Sequence, residues 1–332
     1  MKKYNVAIVG ATGAVGQEFL KILAERKFPV GELKLLATAR SAGKVINWQG
    51  KDYIVEETRP DAFAGMDIAL FAGGSASTEF ARDAVDRGAV VIDNSSAFRM
   101  DPDIPLVVPE VNPEDVKWHK GIIANPNCST IIMAVALKPL HDASNIKRVV
   151  VSTYQAVSGA GREGIEELEN QTKQLGHGGV VEPQIFPYQI AYNLIPRIDV
   201  FQEGDYTKEE WKMVKETQKI FHTEEMAITA TTVRVPVYRS HSESINIETE
   251  TKLTPAEAKS VLSKAKGVVV IDDPSKDLYP LPLTAADTDE VYVGRIREDF
   301  SIPNGLNLWV VGDQIRKGAA TNAIQIAELL IK

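Results

Sequence analysis

Near its N-terminus the chain reads Val6-Ala7-Ile8-Val9-Gly10-Ala11-Thr12-Gly13-Ala14-Val15-Gly16. A run of apolar residues, most of them β-branched, has the pattern of a short strand buried on both faces. The glycines mark a turn, and Phe19, Leu20, Ile22 and Leu23 then form one apolar side of a helix. Leu33-Lys34-Leu35-Leu36-Ala37 resumes the sheet. Asp67-Ile68-Ala69-Leu70-Phe71 and Ala89-Val90-Val91-Ile92-Asp93 repeat the buried-strand pattern on either side of a helix-like segment over 78–87. Strands alternating with helices predict a parallel sheet covered on both faces, an α/β domain.

Beyond about residue 130 the pattern changes. Arg148-Val149-Val150-Val151-Ser152-Thr153-Tyr154 and the run 229–237 are long β-prone stretches. The run 244–251 alternates apolar and polar residues, as a strand with one exposed face does. Helices are expected over 163–175 and 208–221, which makes the second half a mixed α+β domain. An apolar-faced helix over 317–331 closes the chain. No internal repeat, low-complexity tract or flexible linker interrupts it.

The 332 residues suffice for two domains. Forty-five acidic residues against 37 Lys and Arg give a formal charge of −8, so a global basic footprint for nucleic acid is absent. No secretory apolar region follows Met1-Lys2-Lys3, and no run approaches the ~20 apolar residues of a membrane span. A soluble, cytoplasmic protein is expected. Cys128 is the only cysteine, and none of the five histidines has paired ligand spacing, so neither a disulfide nor a metal site is expected.

The glycine run follows a strand and precedes a helix, where backbone N–H groups can approach a pyrophosphate; a turn needed only for packing is the alternative. The place of the usual ribose-binding acid reads Thr38-Ala39-Arg40-Ser41-Ala42-Gly43-Lys44. Cations and hydroxyls suit a 2′-phosphate, so NADP is favoured over NAD, with a solvated basic turn as the alternative. Cys128 lies in Asn125-Pro126-Asn127-Cys128-Ser129-Thr130, ahead of an apolar stretch over 131–137 that Pro139 closes. That reads either as a thiol at a helix N-terminus, where the dipole favours thiolate, or as a small buried hydrophobe. His241 falls in a turn between two strands, as a proton-transfer group or a surface residue.

Taken together, the glycine run, Pro126-Asn127-Cys128-Ser129-Thr130, Tyr154-Gln155-Ala156-Val157-Ser158-Gly159-Ala160-Gly161, Arg234-Val235-Pro236 with His241-Ser242-Glu243, and Lys317-Gly318-Ala319-Ala320-Thr321-Asn322-Ala323 resemble the aspartate-semialdehyde dehydrogenase family from end to end. The resemblance implies a Rossmann-type NADP-binding domain over 1–127 with 314–332, and a catalytic and dimerisation domain over 128–313. It implies reversible conversion of L-aspartyl 4-phosphate and NADPH to L-aspartate 4-semialdehyde, phosphate and NADP. The family's place is on the branch from aspartate to lysine, threonine, methionine and diaminopimelate, as a homodimer. The family's nucleophile falls on Cys128, its acid/base on His241, and the residue orienting the acyl intermediate on Gln155. Arg234 matches the α-carboxylate ligand, Arg99 and Lys212 the phosphate ligands, with Asn127 beside the nucleophile. Glu210 matches the acid for the substrate ammonium, although Thr207-Lys208-Glu209-Glu210 is also a capping box and Lys212 an ordinary helix lysine. The cofactor positions are Gly10, Thr12, Gly13, Ala14, Val15, Thr38, Arg40, Ser41, Ser158, Gly159 and Gln314; many relatives have Asn where Gln314 stands. N-acetyl-γ-glutamyl-phosphate reductase shares the architecture and thioester chemistry. A non-catalytic NADP sensor would keep only the glycine loop.

Overall fold

The computed structural model describes residues 2–331. The chain forms two compact units: one runs to Asn127 and resumes at Ala319, and the other spans Cys128–Gly318. The return to the first unit falls at Ala319, five residues beyond the expected 314.

The first unit is built from β1 (Tyr4–Val9), α1 (Ala14–Glu25), β2 (Val30–Ala37), β3 (Val45–Trp48), β4 (Lys51–Glu57), β5 (Ile68–Phe71), α2 (Ala76–Asp86), β6 (Val90–Asp93) and β7 (Ile122–Ala124). Its sheet has the order β3-β4-β2-β1-β5-β6-β7. All pairings are parallel except β3 with β4. Chain direction reverses its walk across the sheet between β1 and β5, the switch point at which doubly wound sheets bind ligands. The β3–β4 hairpin was not evident from the sequence. It is closed by Gln49 and Gly50, both at positive φ, in the manner of a two-residue hairpin turn.

The second unit contains α3 (Cys128–Ala143), β8 (Ile146–Gln155), α4 (Arg162–Gly176), α5 (Lys208–Ile220), β9 (Ala227–Arg234), β10 (His241–Thr249), α6 (Pro255–Leu262), β11 (Val268–Val270), α7 (Pro282–Ala285), β12 (Val291–Asp299) and β13 (Gly305–Gly312). These strands form a mixed sheet in the order β11-β12-β13-β10-β8-β9. The chain then turns through a π-helical segment, Arg316–Ala320, into α8 (Thr321–Leu330), so the expected closing helix opens with a wider turn. Within the first unit α8 packs on α1, where Arg26 clamps Glu328 through two bonds of 2.7 Å.

Three local expectations are corrected. Pro139 does not end its helix; α3 continues to Ala143. Its residues 129–137 are buried, and that packing outweighs a ring that removes one helical bond. β9 stops at Arg234, two residues before Pro236, instead of running to 237. β10 starts at His241 and is an interior strand, so its alternation is between buried and half-buried residues, with no fully exposed face.

Gly10 turns the chain at φ +82°, while Gly16 lets α1 start against β1. A Cβ on Gly16 would lie 2.2 Å from the Gly10 oxygen and 2.7 Å from the Ala11 Cα, both fixed backbone. Gly16→Ala should therefore lower the unfolding free energy by about 1–3 kcal/mol, read from a denaturant melt. An unchanged midpoint would show that this approach is looser than described.

Candidate active site

At the carboxyl ends of β1, β2, β4 and β5 lies a cavity of about 370 Å³. Gly10, Thr38, Glu57 and the Gly73-Gly74-Ser75 turn line it. α1 begins behind Gly13 with no side-chain cap and no acid in its first turn, so its N–H groups remain available to an anion. Thr12 Oγ1 lies 3.4 Å from Ser41 Oγ, which joins the glycine turn to the short helix carrying Arg40. Of the expected cofactor positions, Gly10 and Thr38 line the cavity, while Thr12 and Ser41 meet beside it. In the same unit Arg99 is buried, its Nε donating to the Asn125 carbonyl at 3.0 Å and its Nη2 to the Asn94 carbonyl at 2.8 Å. Asn127 is buried at the end of the segment.

The second unit gathers the other positions. Cys128 is the first residue of α3, where the helix dipole favours negative charge on sulfur. Gly318 approaches it so closely that a Cβ there would lie 2.9 Å from the Cys128 Cβ. Strand register supplies the rest. Arg234 on β9 pairs with Gln155 on β8, and His241 opens β10, the strand on the other side of β8. His241 is fully buried, and the turn ends at Ser240.

The Ala156 N–H donates to His241 Nδ1 at 3.1 Å, which leaves the neutral ring's proton on Nε2. Nε2 lies 3.3 Å from the Gln155 amide nitrogen. The Ala156 carbonyl accepts from Arg234 Nη1 at 2.6 Å. Gly159 lies alongside; a Cβ there would meet Arg234 Nη1 at 2.8 Å. Ser158 Oγ accepts from the Gln314 amide, whose Oε1 takes the Ser240 N–H at 2.8 Å. The longer Gln314 side chain therefore ties two segments of the site.

Glu210 departs from its expected role. Its Oε2 accepts the Thr207 N–H at 2.7 Å and its Oε1 the Thr232 N–H at 2.9 Å, so the capping box and β9 occupy the carboxylate. Glu209 faces the site instead: Gln155 Nε2 donates to its Oε1 at 3.2 Å, and Lys212 Nζ lies 3.0 Å from its Oε2. Lys212 also meets Asp199 at 3.1 Å. Sequence reasoning passed over Glu209, although it and Lys212 stand three apart on one helix face.

Burial drives the His241 pKa down to about 3, the Arg234 charge adds to this, and Glu209 opposes it. Burial also lowers Arg234, opposed by Glu209 and Cys128. For Lys212 burial works against the charge, but Glu209 and Asp199 prevail and its pKa is raised. Arg234 Nε has no hydrogen-bond partner among the described residues, and neither has the Glu243 carboxyl, so the two do not pair. No group of His, Cys, Asp and Glu among the described residues is placed to hold a metal ion. No described helix is long and apolar enough to cross a membrane.

Two family models match the chain: the NAD-binding domain of semialdehyde dehydrogenases over 5–119, and the dimerisation domain of semialdehyde dehydrogenases over 137–317. A protein of Aquifex aeolicus (strain VF5) named aspartate-semialdehyde dehydrogenase is 61% identical, covering 99% of this chain and 98% of its own. A solved structure of aspartate semialdehyde dehydrogenase II from Vibrio cholerae, complexed with ASA, superposes with a TM-score of 0.97 at 50% identity, covering 100% of this chain and 99% of that one. The aspartate semialdehyde dehydrogenase of Candida albicans, solved with NADP, gives 0.77 at 27% identity and 99% coverage of both chains.

Glu243, two residues beyond His241, is fully buried, and burial raises its pKa well above the ordinary 4.5. The folded protein therefore keeps a proton that the unfolded chain releases, and stability falls as pH rises above about 4.5. Glu243→Gln should remove this slope, at most about 1.4 kcal/mol per pH unit. The variant's melting temperature should match the parent's near pH 4 and exceed it increasingly towards pH 8. A constant offset across that range would mean that the carboxyl is ionised or partnered.

Proposed function

The chain belongs to the aspartate-semialdehyde dehydrogenase family, an oxidoreductase family, and from that premise we propose that it converts L-aspartyl 4-phosphate and NADPH reversibly to L-aspartate 4-semialdehyde, phosphate and NADP. The reading rests above all on the row formed by Arg234, Gln155 and His241 across three neighbouring strands, in the unit that also carries Cys128. The reaction lies on the branch from aspartate to lysine, threonine, methionine and diaminopimelate. The matched dimerisation domain supports a homodimer.

Cys128 attacks the acyl phosphate as thiolate, phosphate leaves, and an acyl thioester forms on sulfur. Arg99 and Lys212 stabilise the leaving phosphate, with Asn127 beside the nucleophile. Gly10, Thr12–Val15, Thr38, Arg40, Ser41, Ser158, Gly159 and Gln314 would hold NADPH, which would supply hydride to the thioester carbonyl and leave as NADP. His241 moves the proton at Nε2 as the tetrahedral centre on Cys128 collapses and the C–S bond breaks. The neutral ring does this by hydrogen bonding: Nε2–H is donated to the tetrahedral oxyanion, whose electron pair re-forms the carbonyl as the C–S bond breaks and sulfur leaves as thiolate. In the reverse direction the same N–H stabilises the oxyanion formed by thiolate attack. Gln155, fixed by Thr153 Oγ1 on its oxygen at 3.0 Å, orients the acyl group. Arg234 takes the α-carboxylate with nitrogens that include the partnerless Nε. Glu209, in place of Glu210, takes the substrate ammonium.

The direct test is phosphate-dependent reduction of NADP with aspartate semialdehyde. Activity should exceed that with NAD or with the N-acetylated glutamate analogue, and Cys128→Ala should abolish it while NADP binding survives. An acyl adduct found by mass spectrometry on a residue other than Cys128 would refute the mechanism.

The two acids separate cleanly. Glu209→Gln should raise KM for aspartate semialdehyde at least ~10-fold, the loss of a charge-assisted bond of about 1.5–3 kcal/mol. Glu210→Gln should leave KM within a few-fold and cost about 1 kcal/mol in a denaturant melt through the weakened cap. The opposite pattern would return the ammonium to Glu210.

A further inference from the structure

Ser240 precedes His241 and is fully buried. Its φ of +73° lies in the left-handed region that residues with a Cβ disfavour. Its hydroxyl has no partner among the described residues, so no side-chain bond of its own repays the conformation. The backbone is held from outside: its N–H donates to Gln314 Oε1 at 2.8 Å. The preceding Arg239 donates through Nε to Asp313 Oδ2 at 2.5 Å.

Asp313 is itself fully buried and saturated. Oδ2 also accepts the Asp287 N–H at 2.7 Å, while Oδ1 accepts those of Ile315 and Arg316 at 2.9 and 3.0 Å. Asp287 returns to Arg239 through an ion pair of 2.9 Å. Asp313 and Gln314 are consecutive, as are Arg239 and Ser240, so the two dipeptides engage residue for residue. Directly beyond them Gly312 pairs with His241 in the β10–β13 ladder.

We propose that Asp313 is a positioning residue for the reaction: through Arg239 and the adjoining Gln314 it holds Ser240 left-handed, and so fixes the angle at which His241 enters β10. Without the clamp, Ser240 relaxes towards negative φ and the ring swings away from Gln155. The inference rests on the reading of His241 as the proton-transfer group.

The test is a double-mutant cycle between Asp313→Asn and Ser240→Gly, read in kcat, KM and melting temperature. Glycine adopts φ +73° without steric cost, so it removes the bias that the clamp opposes. Asp313→Asn should lower kcat on the order of 10- to 100-fold when Ser240 is present, the scale expected of a misplaced catalytic group. KM for aspartate semialdehyde should change little. Measured against Ser240→Gly alone, the same substitution should cost only a few-fold in kcat. Its effect on melting temperature should be equal in both backgrounds, because the bonds to Ile315, Arg316 and Asp287 are lost in each.

Equal kcat losses in the two backgrounds would overturn the proposal, as would a loss confined to melting temperature. If Asp313→Asn does not fold, Arg239→Gln removes the side-chain link from the residue before Ser240 to Asp313 and is carried through the same cycle. His241→Ala separates the two readings. An active His241→Ala enzyme would refute the proton-transfer role, whereas an inactive one with additive Asp313 and Ser240 effects would refute only the clamp.

Discussion

The backbone of Ala156 holds the site together from both of its polar groups. Its N–H donates to His241 Nδ1 and its carbonyl accepts from Arg234 Nη1. The residue follows β8 directly, at the end of the strand flanked by β9 and β10. At a strand end these two groups would otherwise lack ladder partners, and Ala156 is fully buried, so leaving either unmet would be costly. The same bonds that satisfy the backbone therefore fix a histidine and an arginine from two different strands. Protonation of Nδ1 would break the bond to Ala156 and strand a buried donor. Hydrogen bonding thus reinforces what burial and the nearby Arg234 charge already do, which is to keep the ring neutral.

The charges around that point are incompletely matched within the described residues. Arg234 is buried with one nitrogen on a carbonyl and another without a hydrogen-bond partner, an unfavourable state for a guanidinium unless an anion arrives. Glu209 counters that charge only electrostatically: it raises Arg234 and His241 alike, while its oxygens bond Gln155 and Lys212. On the proposed reading, a zwitterionic substrate would bring a carboxylate for Arg234 and an ammonium for Glu209. Binding then repairs a desolvated cation without placing a full counter-ion beside it in the free protein.

Much of this architecture was legible in the sequence because short-range rules govern it. The strands around the glycine turn are continuous apolar runs, and doubly wound sheets bury both faces of such strands. α5 announced itself through Thr207 and Glu210, a capping box that the structure forms in full. What stayed hidden depends on register. Gln155 lies dozens of residues before Arg234 and His241, and only the β9-β8-β10 order places it between them. The short strands β3, β7 and β11 carry too few residues for a clear period. The Pro139 error has a similar origin: a local penalty of about 3 kcal/mol is decisive for an exposed helix, but not for one buried along most of its length.

The exchange of Glu210 for Glu209 follows from helix geometry. An N3 carboxylate that closes a capping box points back towards the first turn and cannot also reach a ligand beyond the helix side. Its neighbour at N2 is rotated by about 100° and is free of that duty. Lys212 lies three residues further on, so it shares a face with Glu209 and not with Glu210. The contacts obey this division: Glu210 meets only backbone at Thr207 and Thr232, while Glu209 meets the Lys212 and Gln155 side chains. Adjacent identical residues therefore do different work, one holding the helix to β9 and the other meeting the side chains of Gln155 and Lys212. The capping motif that made Glu210 conspicuous in the sequence is also the reason its carboxylate is taken up by the backbone.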